Sequence, residues 1–183
     1  GLVASGNLLI YPRRLDGLRG DEPLISQALG KSITGPDIEL ETVPHELVTW
    51  DDWLARYPRT TVAAARPELK NRYKKGKPDV WFASEDLMFS TPVPENGPPP
   101  KSHMLLLRSG DQSTIVGLDQ LIEMADESGN AVVQHGDERL TLTVTEYPPT
   151  ARLAPEHVEA VDSMRILWIN GRALLPDSDL ASP

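Results

Sequence analysis

Four histidines, His45, His103, His135 and His157, are the residues best suited to acid–base or metal chemistry near neutral pH. No two of them stand four positions apart, the spacing that puts two imidazoles on one helical face. The chain has no cysteine to complete a ligand set. The four read as solvated or hydrogen-bonded side chains, and neither a metal nor a cofactor is expected. Ser26, His45 and Asp51 are the residue types of a nucleophilic triad, but no Gly-x-Ser-x-Gly turn surrounds Ser26. Asp51 and Asp52 are neighbours and on a helix would point about 100° apart, so they suit a helix start better than paired acid–base work. No glycine loop of the phosphate-binding kind occurs.

Two groups remain as binding candidates. Ser26 and Gln27 form a polar pair. Trp50 and Trp53 share one face of a helix, where core packing is the simpler use and a ligand platform the alternative. The other group is the run Arg66–Lys77, in which six cations (Arg66, Lys70, Arg72, Lys74, Lys75 and Lys77) stand against one Glu. It could hold an anion or a lipid headgroup, and Tyr73 and Trp81 lie near it; a solvated loop is the simpler reading.

The elements that must position these residues are short. Seventeen prolines against thirteen glycines favour brief elements joined by stiff loops. Gly6–Tyr11, Leu24–Leu29, Lys31–Ile33, Ile38–Thr42 and Thr60–Ala65 read as strands, with a kink at Gly30 and a stop at Gly35-Pro36. A helix is predicted over 49–57, with Thr49 as its cap, two acids in its first turn, and Trp50, Trp53, Leu54 and Tyr57 on one face before Pro58. Val80–Ala83 is short and apolar, and 90–100 is a polyproline-like linker. Further on, Met104–Leu107 and Ser113–Val116 read as strands and 118–125 as a short helix. Ala131–Gln134 and Arg139–Thr145 form a hairpin, Pro155–Ala160 a helical turn, and Met164–Ile169 an apolar strand. Trp50, Pro58 and Thr60 are echoed at the same spacing by Trp168, Pro176 and Ser178, a match short enough to arise by chance.

The chain has 183 residues, 39% of them hydrophobic and 25% charged, enough to bury about 70% of its unfolded surface without disulfides. That excludes a wholly disordered chain, and no apolar run reaches the roughly 18–20 residues of a membrane span. No signal peptide is visible. The net charge is −9, unevenly spread: residues 1–91 hold 12 basic and 13 acidic side chains, residues 92–183 hold 6 and 14. An acidic half repels phosphate backbones, so nucleic-acid binding is not expected.

Three stretches carry a resemblance. The first is Ser5–Tyr11 followed by Ser26-Gln27, Gly30–Ile33 and Gly35-Pro36. The second is Val48–Thr60, and the third Phe82–Phe89 with Pro99-Pro-Lys101 and the Met104–Leu107 strand. In that order and spacing they resemble the bacterial and archaeal family called domain of unknown function 3179, over most of residues 5–120 and thinly on through Trp168 to Ser178. The resemblance implies export to the cell envelope in many members, hence a periplasmic or extracellular location. It also implies a Cys-Pro-x-Cys segment before the serine–glycine strand, which this sequence lacks. The tryptophan usual before the serine–glutamine pair is replaced around Leu24-Ile25, and the second half departs most. The chain thus reads as a divergent or truncated member.

The expected fold is α+β: a β-rich single domain over 1–183 with a mixed or antiparallel sheet and short helices, or two similar halves joined by the Pro-rich stretch 90–100. The tail 177–183 is expected to fray. The leading function is an extracytoplasmic binding or interaction domain without catalytic machinery of its own. Its binding residues would be Ser26, Gln27, Trp50, Trp53, Lys74 and Lys75, and its partner another protein or a segment of the same one. One alternative is an enzyme of unknown reaction with a polar pocket near Ser26, Gln27, Trp50 and Trp53. The other is a fragment that needs the missing cysteine-bearing segment.

Overall fold

Four consecutive apolar residues, Met104–Leu107, are all buried, so the strand that carries them is covered on both faces. A computed structural model describes the chain over residues 3–5, 8–10, 23–43, 45–72, 78–87 and 95–181. At the N-terminal end, β1 (Val3–Ser5), β2 (Leu8–Ile10), β3 (Leu24–Ser26) and β4 (Lys31–Ser32) pair as an antiparallel meander in that order. Then come α1 (Trp50–Arg56), a 3-10 turn over Pro67–Arg72, and α2 (Pro78–Ala83). Strands β5 (His103–Ser109) and β6 (Gln112–Gly117) form a hairpin that leads into α3 (Leu118–Met124).

The strands β7 (Asn130–His135), β8 (Glu138–Thr145) and β9 (Thr150–Leu153) make a separate antiparallel sheet. The chain then returns through a 3-10 turn at Pro155–His157 to β10 (Asp162–Leu167), antiparallel on β5. It ends in α4 (Trp168–Leu174) and β11 (Asp179–Leu180), which lies parallel on β6. The central sheet, ordered β10-β5-β6-β11, is therefore mixed, and the fold is α+β and β-rich with short helices.

One face of this sheet packs Leu105, Leu107 and Val116 against Leu118 and Leu121 of α3 and against Val133, Leu140 and Leu142 of the three-stranded sheet. The opposite face packs Met104, Leu106 and Ile115 against Trp168 of α4. Burial alternates along β7, as a one-sided strand requires. His135 pins the two sheets together: its ring nitrogens hold Ser109 Oγ at 2.8 Å and Thr114 Oγ1 at 2.9 Å, and it is 3% exposed.

Several expectations are corrected. Thr60–Ala65 forms no strand and is exposed from Thr61 on, and Ile38–Thr42 contributes only a single bridge from Glu39 to Lys31. Strand-like residues without a neighbour to pair with do not make a strand. The apolar Val80–Ala83 belongs to helix α2. The apolar strand expected over Met164–Ile169 stops at Leu167, and the chain turns into α4. Gly171 hides this helix from propensity rules, yet a Cβ there would stand 2.6 Å from Ile166 Cδ1 and 3.0 Å from Ile115 Cδ1, so a larger residue would require these side chains to shift. The tail expected to fray is tied down as far as Ala181, whose amide donates to Ile115 O at 3.0 Å. Part of the basic run, Tyr73–Lys77, and the start of the Pro-rich stretch lie outside the described residues.

Gly97 permits the burial of Trp168. It has φ +138°, and a Cβ on it would stand 2.6 Å from the indole Cζ2 and 2.9 Å from Cε2. Gly110, in the β5–β6 turn, has φ +53° but nothing within 4 Å. Gly97→Ala is therefore expected to lower the unfolding free energy by about 3 kcal/mol, from backbone strain plus overpacking, and Gly110→Ala by only about 1 kcal/mol. Denaturant melts of the two variants compare them directly, and equal losses would contradict the close approach of Gly97 to the indole.

Candidate functional site

Strand side chains alternate across a sheet. In register, Met164 and Ile166 stand opposite Leu106 and Met104, toward α4, whereas Arg165 stands opposite Leu105, toward α3. A groove of about 570 Å³ runs past these residues. One bank is Met164–Leu167 of β10 with His103 beside it; the other is Ser26 and Gln27 at the end of β3, closed by Asn170 of α4.

Among the described residues of the lining, Arg165 is the one permanent charge, and none is Asp or Glu. No carboxylate of the described residues stands within ion-pair distance of it; its Nη1 reaches only Pro149 O, at 3.4 Å. Burial holds its pKa below the ordinary arginine value by desolvation, and the guanidinium remains protonated. Burial also lowers the His103 pKa below its ordinary 6.5, with the Arg165 charge adding to the shift and Asp119 opposing it. The Phe82 ring lies 5.2 Å from the imidazole, centroid to centroid. The described lining thus offers a cation, a neutral imidazole, a hydroxyl and amides, and contains no carboxylate. Ser26 Oγ accepts the Leu29 amide at 3.3 Å, and no hydrogen bond joins Ser26 to His45 or Asp51.

A second polar cluster is neutralised internally. Glu46 bonds Arg56 at 2.5 Å and pairs with Arg152 at 3.7 Å. The Glu46 hydrogen bond is the main reason the Arg56 pKa is raised. The Arg56 guanidinium also lies 5.9 Å and 5.7 Å from the Trp53 and Tyr57 ring centroids. Here the core role expected for the α1 aromatics is corrected, because no residue of the helix is buried. Trp53 is half-buried against Tyr57, its indole N–H donating to Thr60 Oγ1 at 2.8 Å, and Trp50 is 50% exposed. The end of α2 is held by Lys101, whose ammonium donates to the carbonyls of Trp81 and Ser84, both at 2.6 Å, and covers the Trp81 ring at 4.1 Å.

Of the residues singled out in the sequence, Ser26 and Gln27 line the groove. Trp50 and Trp53 do not, and Lys74 and Lys75 lie outside the described residues. Sequence reasoning passed over His103, set aside with the other histidines, and Arg165. The signal for Arg165 was there: it is the only charge inside the apolar run Met164–Ile169. Among the described residues no group of three or more His, Asp or Glu stands close enough to hold a metal ion, and no helix is long and apolar enough to cross a membrane.

The profile of a family described as "Protein of unknown function (DUF3179)" matches residues 2–178, nearly the whole chain, and the chain belongs to that family. No curated protein and no solved structure matches it.

The lowered His103 pKa fixes the sign of a stability effect. Between the ordinary value of 6.5 and the lower folded value, the unfolded chain binds the proton and the folded chain does not. Folding stability therefore rises with pH through that window and falls as the pH drops below 6.5. Denaturant melts at pH 8 and pH 5 (roughly the range over which histidine titrates) are expected to show a larger loss for the wild type than for His103→Gln. An identical loss in the two proteins would show that the imidazole is not desolvated.

Proposed function

We propose that this chain is a binding domain, acting outside the cytoplasm as the resemblance implies, whose ligand presents a carboxylate or comparable anion to Arg165. The carrying observation is a partly buried arginine in the groove lining with no carboxylate of the described residues within ion-pair distance. Removing a cation from water without a paired anion is costly, and an incoming carboxylate restores the balance through charge-assisted hydrogen bonds. Neutral His103 and the amides of Gln27 and Asn170 are suited to orient the rest of the ligand. The hydroxyl of Ser26, taken by a backbone amide rather than an imidazole, favours binding over nucleophilic chemistry.

Titrating the full chain with N-acetylglutamate methylamide tests the reading. Binding of roughly millimolar strength, about −4 kcal/mol, is expected, with resonances of Ser26, His103 and Arg165 shifting and the response lost in Arg165→Met. Equal binding of the uncharged glutamine analogue, or shifts that map elsewhere, would overturn it.

A further inference from the structure

Resting on the groove as the binding site, we infer that the ligand is an extended peptide, added as a strand along the free edge of β10 with an acidic side chain set against Arg165. Four consecutive residues, Met164–Leu167, line the groove. A cavity over one face of a sheet would meet only every second residue of a strand, because side chains alternate. Contact with all four places the groove along the edge of β10. That edge is open. β10 ends the order β10-β5-β6-β11, and beyond its ladder with β5 no backbone group of Asp162–Ile166 bonds to another described residue.

Proteins commonly guard such an edge with proline, lysine or a bulge. β10 reads Asp-Ser-Met-Arg-Ile-Leu, with neither proline nor lysine, and pairs with β5 in unbroken register. Its mid-strand cation, Arg165, reaches toward Pro149 O, and its acid, Asp162, faces Arg108. An unpaired row of N–H and C=O groups beside a groove is the geometry of strand addition, where main-chain bonds supply affinity and alternate side chains supply specificity.

The lining sets the pattern of the added strand. Positions beside Met164 and Ile166 meet apolar side chains on the α4 side, and the position between them meets Arg165. The fitting sequence is therefore apolar–acidic–apolar, with β-branched residues favoured at the apolar positions. An acidic residue meets no like charge among the described lining residues, whereas a basic one would meet Arg165.

The test uses the full chain and the peptide acetyl-Thr-Val-Glu-Val-Thr-amide, followed by amide hydrogen exchange and resonance shifts. The peptide is expected to slow exchange at β10 amides. It should also bind at least about tenfold more tightly than N-acetylglutamate methylamide or than the same peptide with Gln for Glu. N-methylation on alternate residues blocks one edge of the added strand, so at least one of the two alternate series must lose binding. Retention by both series, or an equally tight Gln peptide, overturns the inference. If the single amino acid binds as well as the peptide, strand addition fails while the anion-binding reading stands; if neither probe binds, both fail.

Discussion

The whole arrangement depends on covering β5 from both sides. Met104, Leu105, Leu106 and Leu107 are each at most 4% exposed, so their alternating side chains need an apolar layer on each face. A one-sided sheet could leave one set to water; this one cannot. The first layer is α3 with the three-stranded sheet, bound to the strand by local chain connections through β6. The second is α4, which reaches the other face only after the chain has run through β7, β8, β9 and β10. Glycines at 97 and 171 let it approach, because at each a Cβ would stand 2.6 Å from a packed side chain.

Buried polar groups then decide how the layers sit. His135 offers two ring nitrogens to hydroxyls on two neighbouring strands, which satisfies all three polar groups inside an apolar setting. Arg108 does the same between regions, donating to Leu29 O at 3.0 Å and facing Asp162 at 3.6 Å, and so draws the N-terminal meander against β10. The groove lies where this contact meets α4. Among the described residues no second strand pairs with β10 beside β5. Arg165 has no carboxylate of the described residues within ion-pair distance, a different state from Arg56, which Glu46 neutralises.

Local chemistry was legible where a residue's role needs only its neighbours in the chain. Thr49 was read as the cap of a helix stopped before Pro58, and Thr49 Oγ1 accepts the Asp52 amide at 3.1 Å over α1. The β5–β6 strands, α3 and the alternating hairpin of β7 and β8 were legible for the same reason, since period and turn residues are local properties. Of the groove, only Ser26 and Gln27 were visible, singled out as a polar pair without a reason to join them to His103, 76 or more positions away.

Two tryptophans separate what the sequence determined from what only the tertiary structure decided. Trp50 and Trp168 each begin a seven-residue helix, and the helices end alike, at Tyr57 with φ −127°, ψ 68° and at Leu175 with φ −135°, ψ 69°. The proline after each cap disfavours the helical conformation before it, so both stops were written in the residues themselves, whereas the start was legible for α1 alone, at Thr49. Burial was not: Trp50 is 50% exposed and Trp168 2%. An indole is buried only if another surface comes to meet it, and that surface, from Met104, Leu106, Ile115 and Gly97, arrives from elsewhere in the chain. The same holds for Arg165, since an apolar strand with one cation has the same sequence with or without an acid beside it.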